Sequence, residues 1–401
     1  MKQGWEIKTL GEVCDTGAGG TPLKAHKDYY AGGTIPWLMS GEVSQGEVFE
    51  AKNFITEKGL KNSSAKLFPI NTVLVAMYGA TAGQVGILKF EACTNQAVCG
   101  ILPNDNTIPE YLFYCFLSKK EELVAQAVGG AQPNISQIKI RNTKIPLPPL
   151  HEQQRIVAIL DQVFAVIAKA KSYAEQNLKN AKELFESYLR RVFENEGEGW
   201  EEKTLAQISK TFGRGKSKHR PRNWDGLYGG NYPFIQTGDI RNCDHYITEY
   251  SQTYNEAGLA QSKLWKAGTI CITIAANIAE TGILTFDACF PDSVIGIEVN
   301  EKYVDRDFVE YLLQSFKVRI QALGKGSAQA NINMGTFENE LFPFPPVAEQ
   351  KAIVKELDAL NLGTKKLEAI YQQKINDLED LKKSVLQKAF SGQLSEHDLK
   401  D

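Results

Sequence analysis

The sequence predicts an α+β protein with two copies of one unit, in which a mixed α/β domain is followed by a long helix. Three observations support this prediction. The stretch that begins at Pro148 recurs at Pro345, 197 residues later, and the stretch that begins at Gly4 recurs at Gly199. Each half contains short apolar runs separated by Gly, Asn and Pro, as strands are. Each half then ends in about 45 residues without Pro, whose apolar residues have helical spacing.

The two long stretches, 148–196 and 345–401, are predicted to be helices. Pro at the start of each is tolerated, because the first turn of a helix has no backbone N–H bond to lose. Glu152 and Glu349 follow in the first turn, where the helix dipole favours negative charge. At a rise of 1.5 Å per residue, about 45 residues span roughly 65–70 Å.

Apolar residues in both stretches recur at alternate spacings of four and three, which predicts a coiled-coil seam. The predicted seam consists of Ile156, Leu160, Val163, Ile167 and Leu184 in the first helix and Ile353, Leu357, Leu360, Leu367, Leu378 and Leu381 in the second. Two related halves can pack about a pseudo-two-fold axis, so we expect the helices to form an antiparallel coiled coil. The alternative is that each is a long amphipathic core helix of its own domain.

Residues 1–147 are predicted to form the first mixed α/β domain. Apolar or β-branched runs at 35–40, 73–77 and 85–88 indicate strands. The run that starts at Pro109 indicates a helix with Pro in its first turn.

Residues 197–344 are predicted to form the second domain, which follows an acidic, Gly-rich linker. Its framework repeats that of the first domain: residues 233–240 match 36–43, and residues 282–289 match 86–93. The loops between the matched runs differ, so the two domains are predicted to share a scaffold but not a surface.

Composition indicates an ordinary soluble protein, with 43% hydrophobic and 23% charged residues in 401. No charged-then-apolar leader and no apolar run near 18 residues is present, which predicts a cytoplasmic protein. Seven Cys without a CxxC pair are predicted to be reduced core residues, and no metal site is predicted. A net charge of −3 argues against nucleic-acid binding unless the charges are segregated.

The charges are segregated in one loop of the second domain. Between residues 210 and 222 stand six cations and no acid, with Trp224 and Tyr228 following. Basic, Gly-interrupted segments with nearby aromatic residues are suited to phosphate contact. The alternative is a solvated run of charge on the surface.

The candidate DNA-binding residues lie in the loops that join predicted strands, where ordinary turn chemistry is the alternative. In the first domain they are Thr21, Lys24, Lys27, Ser40, Tyr78 and Gln84; in the second they are Arg214, Lys216, Lys218, Arg220, Arg222, Gln236, Thr237 and Arg241. The Gly-rich segment 16–22 is predicted to be a mobile surface loop that approaches the DNA backbone. Two similar scaffolds with different tips would read two different short sequences separated by an unread gap.

Motifs for catalysis by this chain are missing. The sequence has no dinucleotide-binding Gly-x-Gly-x-x-Gly, no Walker A motif and no nucleophile elbow. Pro291-Asp292 with Glu298 is faintly similar to a nuclease pattern, but Asn300 stands where that pattern needs Lys. We therefore predict no catalytic residues.

A doubled motif carries a family resemblance. Residues 146–157 read Pro-Leu-Pro-Pro-Leu-x-Glu-Gln-x-x-Ile-Val, and residues 343–354 read Pro-Phe-Pro-Pro-Val-x-Glu-Gln-x-x-Ile-Val. With Gly19-Gly-Thr-Pro, Ile35-Pro-Trp and the closing segment 381–392, the chain resembles the specificity subunit of type I restriction–modification systems over essentially its whole length. The second half departs from this pattern at its first loop.

The resemblance implies two target-recognition domains, 1–147 and 197–344, each of which reads one half of a bipartite, asymmetric duplex site. It implies that the two conserved helices form a spacer and dock two methyltransferase subunits, which restriction subunits join. S-adenosylmethionine, ATP and Mg²⁺ would then belong to the partners, with no cofactor in this chain. The alternatives are a stand-alone DNA-modifying enzyme with a degenerate site and a protein-binding coiled-coil scaffold.

Overall fold

The computed structural model describes residues 4–125, 134–194, 197–217, 224–275, 278–324 and 334–394. The chain divides into two compact units. Unit 1 comprises Met1–Glu175 and Gln373–Asp401, and unit 2 comprises Gln176–Gln372. Each unit therefore contains one α/β domain and a part of each long helix.

Unit 1 is built from short strands joined by turns and short helices. Its strands are β1 (Glu6–Thr9), β2 (Thr16–Ala18), β3 (Ile35–Leu38), β4 (Gly46–Val48), β5 (Asn53–Ile55), β6 (Leu67–Phe68), β7 (Val73–Ala76), β8 (Val85–Leu88), β9 (Ala92–Thr94), β10 (Val98–Ile101) and β11 (Lys144–Leu147). Its short helices are α1 (Leu10–Val13), α2 (Glu57–Lys61), α3 (Pro109–Ser118), α4 (Lys120–Ala125) and α5 (Gln137–Arg141), and the first long helix is α6 (Leu150–Glu194).

Unit 2 repeats this composition. Its strands are β12 (Glu201–Lys203), β13 (Ser209–Arg214), β14 (Tyr228–Phe234), β15 (Tyr246–Ile247), β16 (Gln252–Tyr254), β17 (Ile270–Thr273), β18 (Thr281–Leu284), β19 (Val294–Val299) and β20 (Phe342–Phe344). Its short helices are α7 (Thr237–Asn242), α8 (Glu256–Ala260), α9 (Arg306–Ser315), α10 (Lys317–Gly324) and α11 (Met334–Glu338), and the second long helix is α12 (Val347–Ser391).

The main sheets of the two units have the same strand order. Within the described residues, the five-stranded sheet of unit 1 runs β2-β10-β7-β8-β4, and that of unit 2 runs β13-β19-β17-β18-β15. In both, the last strand pairs parallel and the other strands pair antiparallel. The duplication predicted from sequence is thus a duplication of topology.

The second sheet differs between the units. Unit 1 has a four-stranded sheet, β5-β3-β9-β6, in its described part. Unit 2 keeps the equivalent β14–β16 pair, while its other two contacts are isolated bridges, Phe234 with Cys289 and Trp265 with Ala288. This sheet carries the loops that differ in sequence.

Both long helices begin directly after a Pro-Pro pair and have 45 residues. The Gln of the repeated Glu-Gln motif holds each start in place. The Gln153 side chain is buried, accepts a hydrogen bond from the Ile108 N–H at 3.0 Å and donates one to the Pro148 carbonyl at 2.9 Å. In the second copy, Gln350 accepts from the Asp305 N–H at 2.7 Å and donates to a Pro carbonyl at 2.8 Å. Buried polar groups need such partners, so the motif Gln has the same structural role in both copies.

The long helices run antiparallel within unit 1. Arg155 of α6 donates to the Leu394 carbonyl just beyond α12, while Lys171 of α6 pairs with Glu379 of α12 at 2.5 Å. Residue numbers therefore rise along one helix as they fall along the other. In unit 2, the end of α6 meets the start of α12, where the Tyr188 hydroxyl donates to a carboxylate oxygen at 2.9 Å.

The buried stripe of each helix follows the predicted seam only in the N-terminal part of the helix. Ile156, Leu160, Ile167 and Leu357 are buried, and Val163, Ile353, Leu360 and Leu378 are half-buried. Leu184, Leu367 and Leu381 differ from the prediction, because their side chains are 50%, 40% and 48% exposed.

The stripe changes phase after Val163 and after Leu360. In α6 it continues through 167, 171, 174 and 178, and in α12 through 364, 368, 371 and 375. Two successive steps of four give a local repeat of 3.67 residues, close to the 3.6 of a straight α-helix. Beyond this point the steps of three and four resume in a shifted order, so Leu184 and Leu381 lie beside the stripe and not in it.

Six of the seven cysteines are buried and Cys243 is half-buried. Burial raises the pKa of the Cys99 and Cys115 thiols to about 12, so both remain protonated near neutral pH. Among the described residues, no helix has the length and apolar character to span a membrane.

Candidate nucleic-acid interface

A turn at residues 94–97 is the point where several loops of unit 1 meet. Asn95 donates its N–H to the last carbonyl of β3 at 2.9 Å, and the Ala97 carbonyl accepts the N–H that follows β7 at 2.7 Å. The side-chain oxygen of Gln96 accepts a hydrogen bond from the Thr21 hydroxyl. The structure thus joins the loops after β2, β3 and β7 around one turn.

The Gly-rich segment before Thr21 is packed against its neighbours, which differs from the mobile surface loop predicted from sequence. Gly19 and Gly20 are buried, and a Cβ on either would lie under 3.0 Å from atoms of Thr94 or Ser64. The Trp37 indole N–H donates to the Gly20 carbonyl at 2.9 Å. These glycines allow backbones to approach closely, and the candidate contact residues Lys24 and Lys27 follow them in the chain.

Lys24 and Lys27 are exposed on that following segment. The Tyr30 hydroxyl donates to the Pro22 carbonyl, which ties the two ends of the segment together. The two cations therefore stand on an anchored loop.

Ser40 begins a short helical turn, Ser40–Gln45, directly after Met39. The buried Glu42 carboxylate accepts the Met39 N–H at 2.8 Å and the Lys52 N–H at 2.9 Å. The acid of the repeated Ser/Thr-Gly-Glu/Asp sequence thus stabilises the turn and positions the residues before it.

Tyr78 and Gln84 lie on the β7–β8 connection. The Tyr78 side chain is 38% exposed, and its backbone forms a bridge with Asn134. Gln84 is half-buried, and its N–H closes the turn by donating to the Thr81 carbonyl at 3.0 Å. None of the contacts that join the loops around the 94–97 turn is made by Gln84, so it stands apart from the other candidates.

The segment 289–293 has the same central position in unit 2. The Cys289 carbonyl accepts the N–H that follows β14 at 2.8 Å, and the Ser293 carbonyl accepts the N–H that follows β17 at 2.9 Å. The Arg214 guanidinium donates to the Asp292 carbonyl at 2.7 Å. The loop ends of both units are therefore gathered in the same way.

An open cavity of about 550 Å³ lies beside this segment. Its lining includes Tyr228, Phe234, Gln236, Thr237, Gln252 and Tyr254. The Phe234 and Tyr254 rings are stacked with centroids 4.0 Å apart. Burial raises the pKa of Tyr254 to about 12, so its hydroxyl keeps its proton near neutral pH.

Three of the candidate DNA-binding cations of unit 2 are among the described residues. Arg214 and Lys216 are exposed at and just after the end of β13, and Arg241 is exposed on α7. The other three predicted cations of the loop, Lys218, Arg220 and Arg222, lie outside the described residues.

The sequence analysis did not predict three features of this surface: the turn at 94–97, the segment 289–293 and the position of Gln252. A signal for the turns was present, since the matched runs 86–93 and 282–289 end just before them. Nothing in the sequence placed Gln252 beside Gln236, because their proximity depends on the pairing of β14 with β16.

The part of the chain that is described contains no group of three or more His, Cys, Asp or Glu side chains suited to hold a metal ion. One buried titratable cluster lies in unit 2. His245 lies 2.6 Å from Glu310 and 3.2 Å from Asp307, and Glu310 also accepts a hydrogen bond from the Thr281 hydroxyl at 2.6 Å. These groups pair as opposite charges beneath the surface.

The repeated units agree with a known family. Residues 2–177 and 197–379 each match the model of the type I restriction modification DNA specificity domain. The chain belongs to this family. The two matches coincide with the two halves of the sequence repeat.

Curated relatives of this chain are type I specificity subunits. The MjaIX specificity subunit of Methanocaldococcus jannaschii is 27% identical over 369 residues, which cover 85% of this chain and 83% of the relative. The EcoR124I/EcoR124II specificity subunit of Escherichia coli is 32% identical over 162 residues, which cover 39% of this chain and 40% of the relative.

Solved structures share the fold. A chain from a study of complex assembly and conformational transition of the type I R-M system superposes with a TM-score of 0.82 at 22% identity, covering 98% of this chain and 99% of that chain. The HsdS subunit of Thermoanaerobacter tengcongensis superposes with a TM-score of 0.63 at 22% identity, covering 98% of both chains. The specificity-domain family thus has the two-domain α+β fold observed here.

Proposed function

We propose that this chain is the DNA-specificity subunit of a type I restriction–modification complex and reads a bipartite, asymmetric duplex site. Each unit reads one half of the site through the loops gathered around its central turn. The chain itself carries no catalytic residue. Membership of the DNA specificity family supports this proposal.

One observation carries the two-part reading. The loops of both units are gathered by backbone contacts to a corresponding segment, but the side chains at the tips differ: Met39 and Ser40 in unit 1 correspond to Gln236 and Thr237 in unit 2. Equal scaffolds with unequal tips favour two different half-sites over a palindrome.

The proposed partners are double-stranded DNA, two methyltransferase subunits and restriction subunits. We expect the methyltransferase subunits to dock on α6 and α12. We assign S-adenosylmethionine, ATP and Mg²⁺ to those partners. The proposed site of action is the cytoplasm, because these small molecules are supplied there.

The experiment is to map adenine methylation in host DNA with and without this chain. We expect one motif, made of two unlike half-sites and an unread gap, to disappear when the chain is removed. An identical set of methylated motifs in both strains would overturn the proposal.

Two further assays separate the alternatives. Transfer of labelled methyl groups from S-adenosylmethionine to DNA by the purified chain alone would favour a stand-alone enzyme. Selection from random duplexes by the assembled complex, without enrichment of any sequence, would favour a protein-binding scaffold. We expect no transfer in the first assay and enrichment of the split motif in the second.

A further inference from the structure

Two glutamine side chains form a pair in the lining of the unit 2 cavity. The Nε2 group of Gln236 donates a hydrogen bond to Oε1 of Gln252 at 2.6 Å. Gln252 is exposed and Gln236 is half-exposed, so both amides are accessible to a molecule that approaches the cavity.

A single carboxylate fixes the backbone on both sides of this pair. Oδ2 of Asp239 accepts the Gln236 N–H at 2.8 Å and the Ser251 hydroxyl at 3.2 Å. Ser251 immediately precedes Gln252, which lies opposite Phe234 in the β14–β16 pairing. The two amides are therefore held in register before any ligand arrives, and preorganised groups lose less freedom on binding.

The pair keeps both acceptors and donors that a ligand can use. With the mutual bond made, Oε1 of Gln236 can still accept a hydrogen bond and Nε2 of Gln252 can still donate one. The major-groove edge of adenine presents the N6 donor next to the N7 acceptor, whereas guanine presents two acceptors, N7 and O6. The free Oε1 of Gln236 and a free N–H of Gln252 together form an acceptor and a donor that match this edge of adenine.

Unit 1 has different chemistry at the same two positions. Met39 precedes its helical turn as Gln236 does in unit 2, and Asn53 pairs with Trp37 as Gln252 pairs with Phe234. A thioether is only a weak acceptor, so unit 1 lacks an equivalent amide pair at these positions. The two units therefore cannot read the same base in the same way here.

We propose that the hydrogen-bonded amides of Gln236 and Gln252 read an adenine in the half-site of unit 2 and determine specificity at that base pair. This inference rests on the proposed function, because it assigns a base to the same reading surface. It predicts that these two side chains together set the preference for adenine at one position of that half-site.

The first test maps methylated motifs in host strains that express full-length variants. The variants are Gln252→Ala, the graft Gln236→Met with Gln252→Asn, and Gln207→Ala. The graft uses the residues that unit 1 accommodates at these positions, and Gln207 is an exposed glutamine outside the cavity lining. We expect the first two variants to lose preference for adenine at one position of one half-site by roughly tenfold to a hundredfold. The other half-site should not change, and Gln207→Ala should match the wild type.

The second test keeps the wild-type chain and changes the DNA. In the assembled complex, replacement of that adenine by 7-deazaadenine, which lacks the N7 acceptor, should weaken binding at least about tenfold. Equal affinity for the two duplexes would overturn this inference alone. So would an unchanged motif in both glutamine variants, or a variant motif in which the lost preference is for guanine and not for adenine. A methylation pattern that does not depend on the chain at all would overturn the proposed function and this inference with it.

Discussion

The hydroxyl of Tyr311 donates a hydrogen bond to the carboxylate of Asp358 at 2.7 Å and so joins α9 to α12. Unit 1 has the same relationship, in which Tyr114 of α3 donates to Asp161 of α6 at 2.5 Å. In both pairs the residues are 47 positions apart. Each domain is thus fastened to the helix that follows it by the same polar contact.

Removal of this contact should destabilise the unit that contains it. Tyr311→Phe deletes the hydroxyl and keeps the ring, so we expect a loss of about 1 kcal/mol in the free energy of unfolding of unit 2. Tyr114→Phe should have a similar effect on unit 1. Hydrogen exchange of sheet amides in each unit measures both effects. Tyr173→Phe is the control, because that side chain is 60% exposed; equal protection in Tyr311→Phe and the control would contradict the prediction.

The buried Gln153 should contribute more to the stability of the fold than its exposed neighbour Gln154. Gln153→Leu leaves the Ile108 N–H and the Pro148 carbonyl without their partner, at a cost of about 2 to 4 kcal/mol. Gln154→Leu is the matched control on the next residue, which is exposed. Chemical denaturation of the full chain measures the difference, and equal midpoints for the two variants would show that the motif Gln does not hold the helix start.

The stability of unit 2 should fall as the pH rises. Burial lowers the pKa of His245, but its contacts with Asp307 and Glu310 outweigh this effect and raise the pKa to about 9. The folded-state pKa is above the unfolded value of about 6.5. The stabilisation is therefore fully present below pH 6.5 and is lost as the pH rises through about 9.

A shift from 6.5 to about 9 corresponds to about 3 kcal/mol. Hydrogen exchange of the β17 and β19 amides, corrected for intrinsic rates, should report this loss between pH 6.5 and 9. His245→Gln should remove most of the dependence, and His151→Gln should keep it because His151 is exposed. The same pH dependence in all three proteins would exclude His245 as its source.

Gly363 lies within α12, and its replacement by Ala should increase the stability of the helix. A Cβ at this position would meet no atom within 4 Å, so Ala adds helix propensity without a clash. We expect Gly363→Ala to stabilise the helix by about 1 kcal/mol and to raise the Tm by roughly 2–4 °C. Gly268→Ala is the opposite control: its φ is +88° and a Cβ would lie 2.8 Å from the Arg306 guanidinium, so its Tm should fall. A lower Tm for Gly363→Ala would mean that the glycine has another role.

Lys216 and Arg214 should contribute to DNA affinity through phosphates. In the assembled complex, the double change to Ala should weaken binding at low salt and reduce the slope of log K against log salt by about 2. Lys302→Ala, at an exposed lysine between β19 and α9, is the control with an unchanged slope. If the slope of log K against log salt is unaltered in the double variant, the end of β13 does not contact the DNA phosphates.

Parts of the fold that rest on local patterns were predictable. The starts of α6 and α12 follow the Pro-Pro pairs and lie close to the predicted starts at 148 and 345, whereas α12 ends at Ser391, before the predicted end at 401. The duplication was visible because both halves need the same strands and helices to build the same sheet. The burial of Cys99 and Cys115 follows from their apolar, uncharged setting in the chain.

The phase of the seam could not be predicted in the same way. Leu184 and Leu381 are apolar and fit the predicted 3.5-residue spacing, but the buried stripe shifts phase within each helix and leaves these two residues about half exposed. Which face is buried depends on the partner surface, and one helix sequence does not contain that surface.

The sequence alone determined the two-fold repeat, the positions of the long helices and the family, because each depends on residues that are close together along the chain. The tertiary structure decided which loop residues share a surface. Strand pairing brings Thr21 to Gln96 and Gln236 to Gln252 across distances in sequence that no local pattern records. Base reading depends on such neighbours, since donors and acceptors must be arranged in space to match the edge of a base pair.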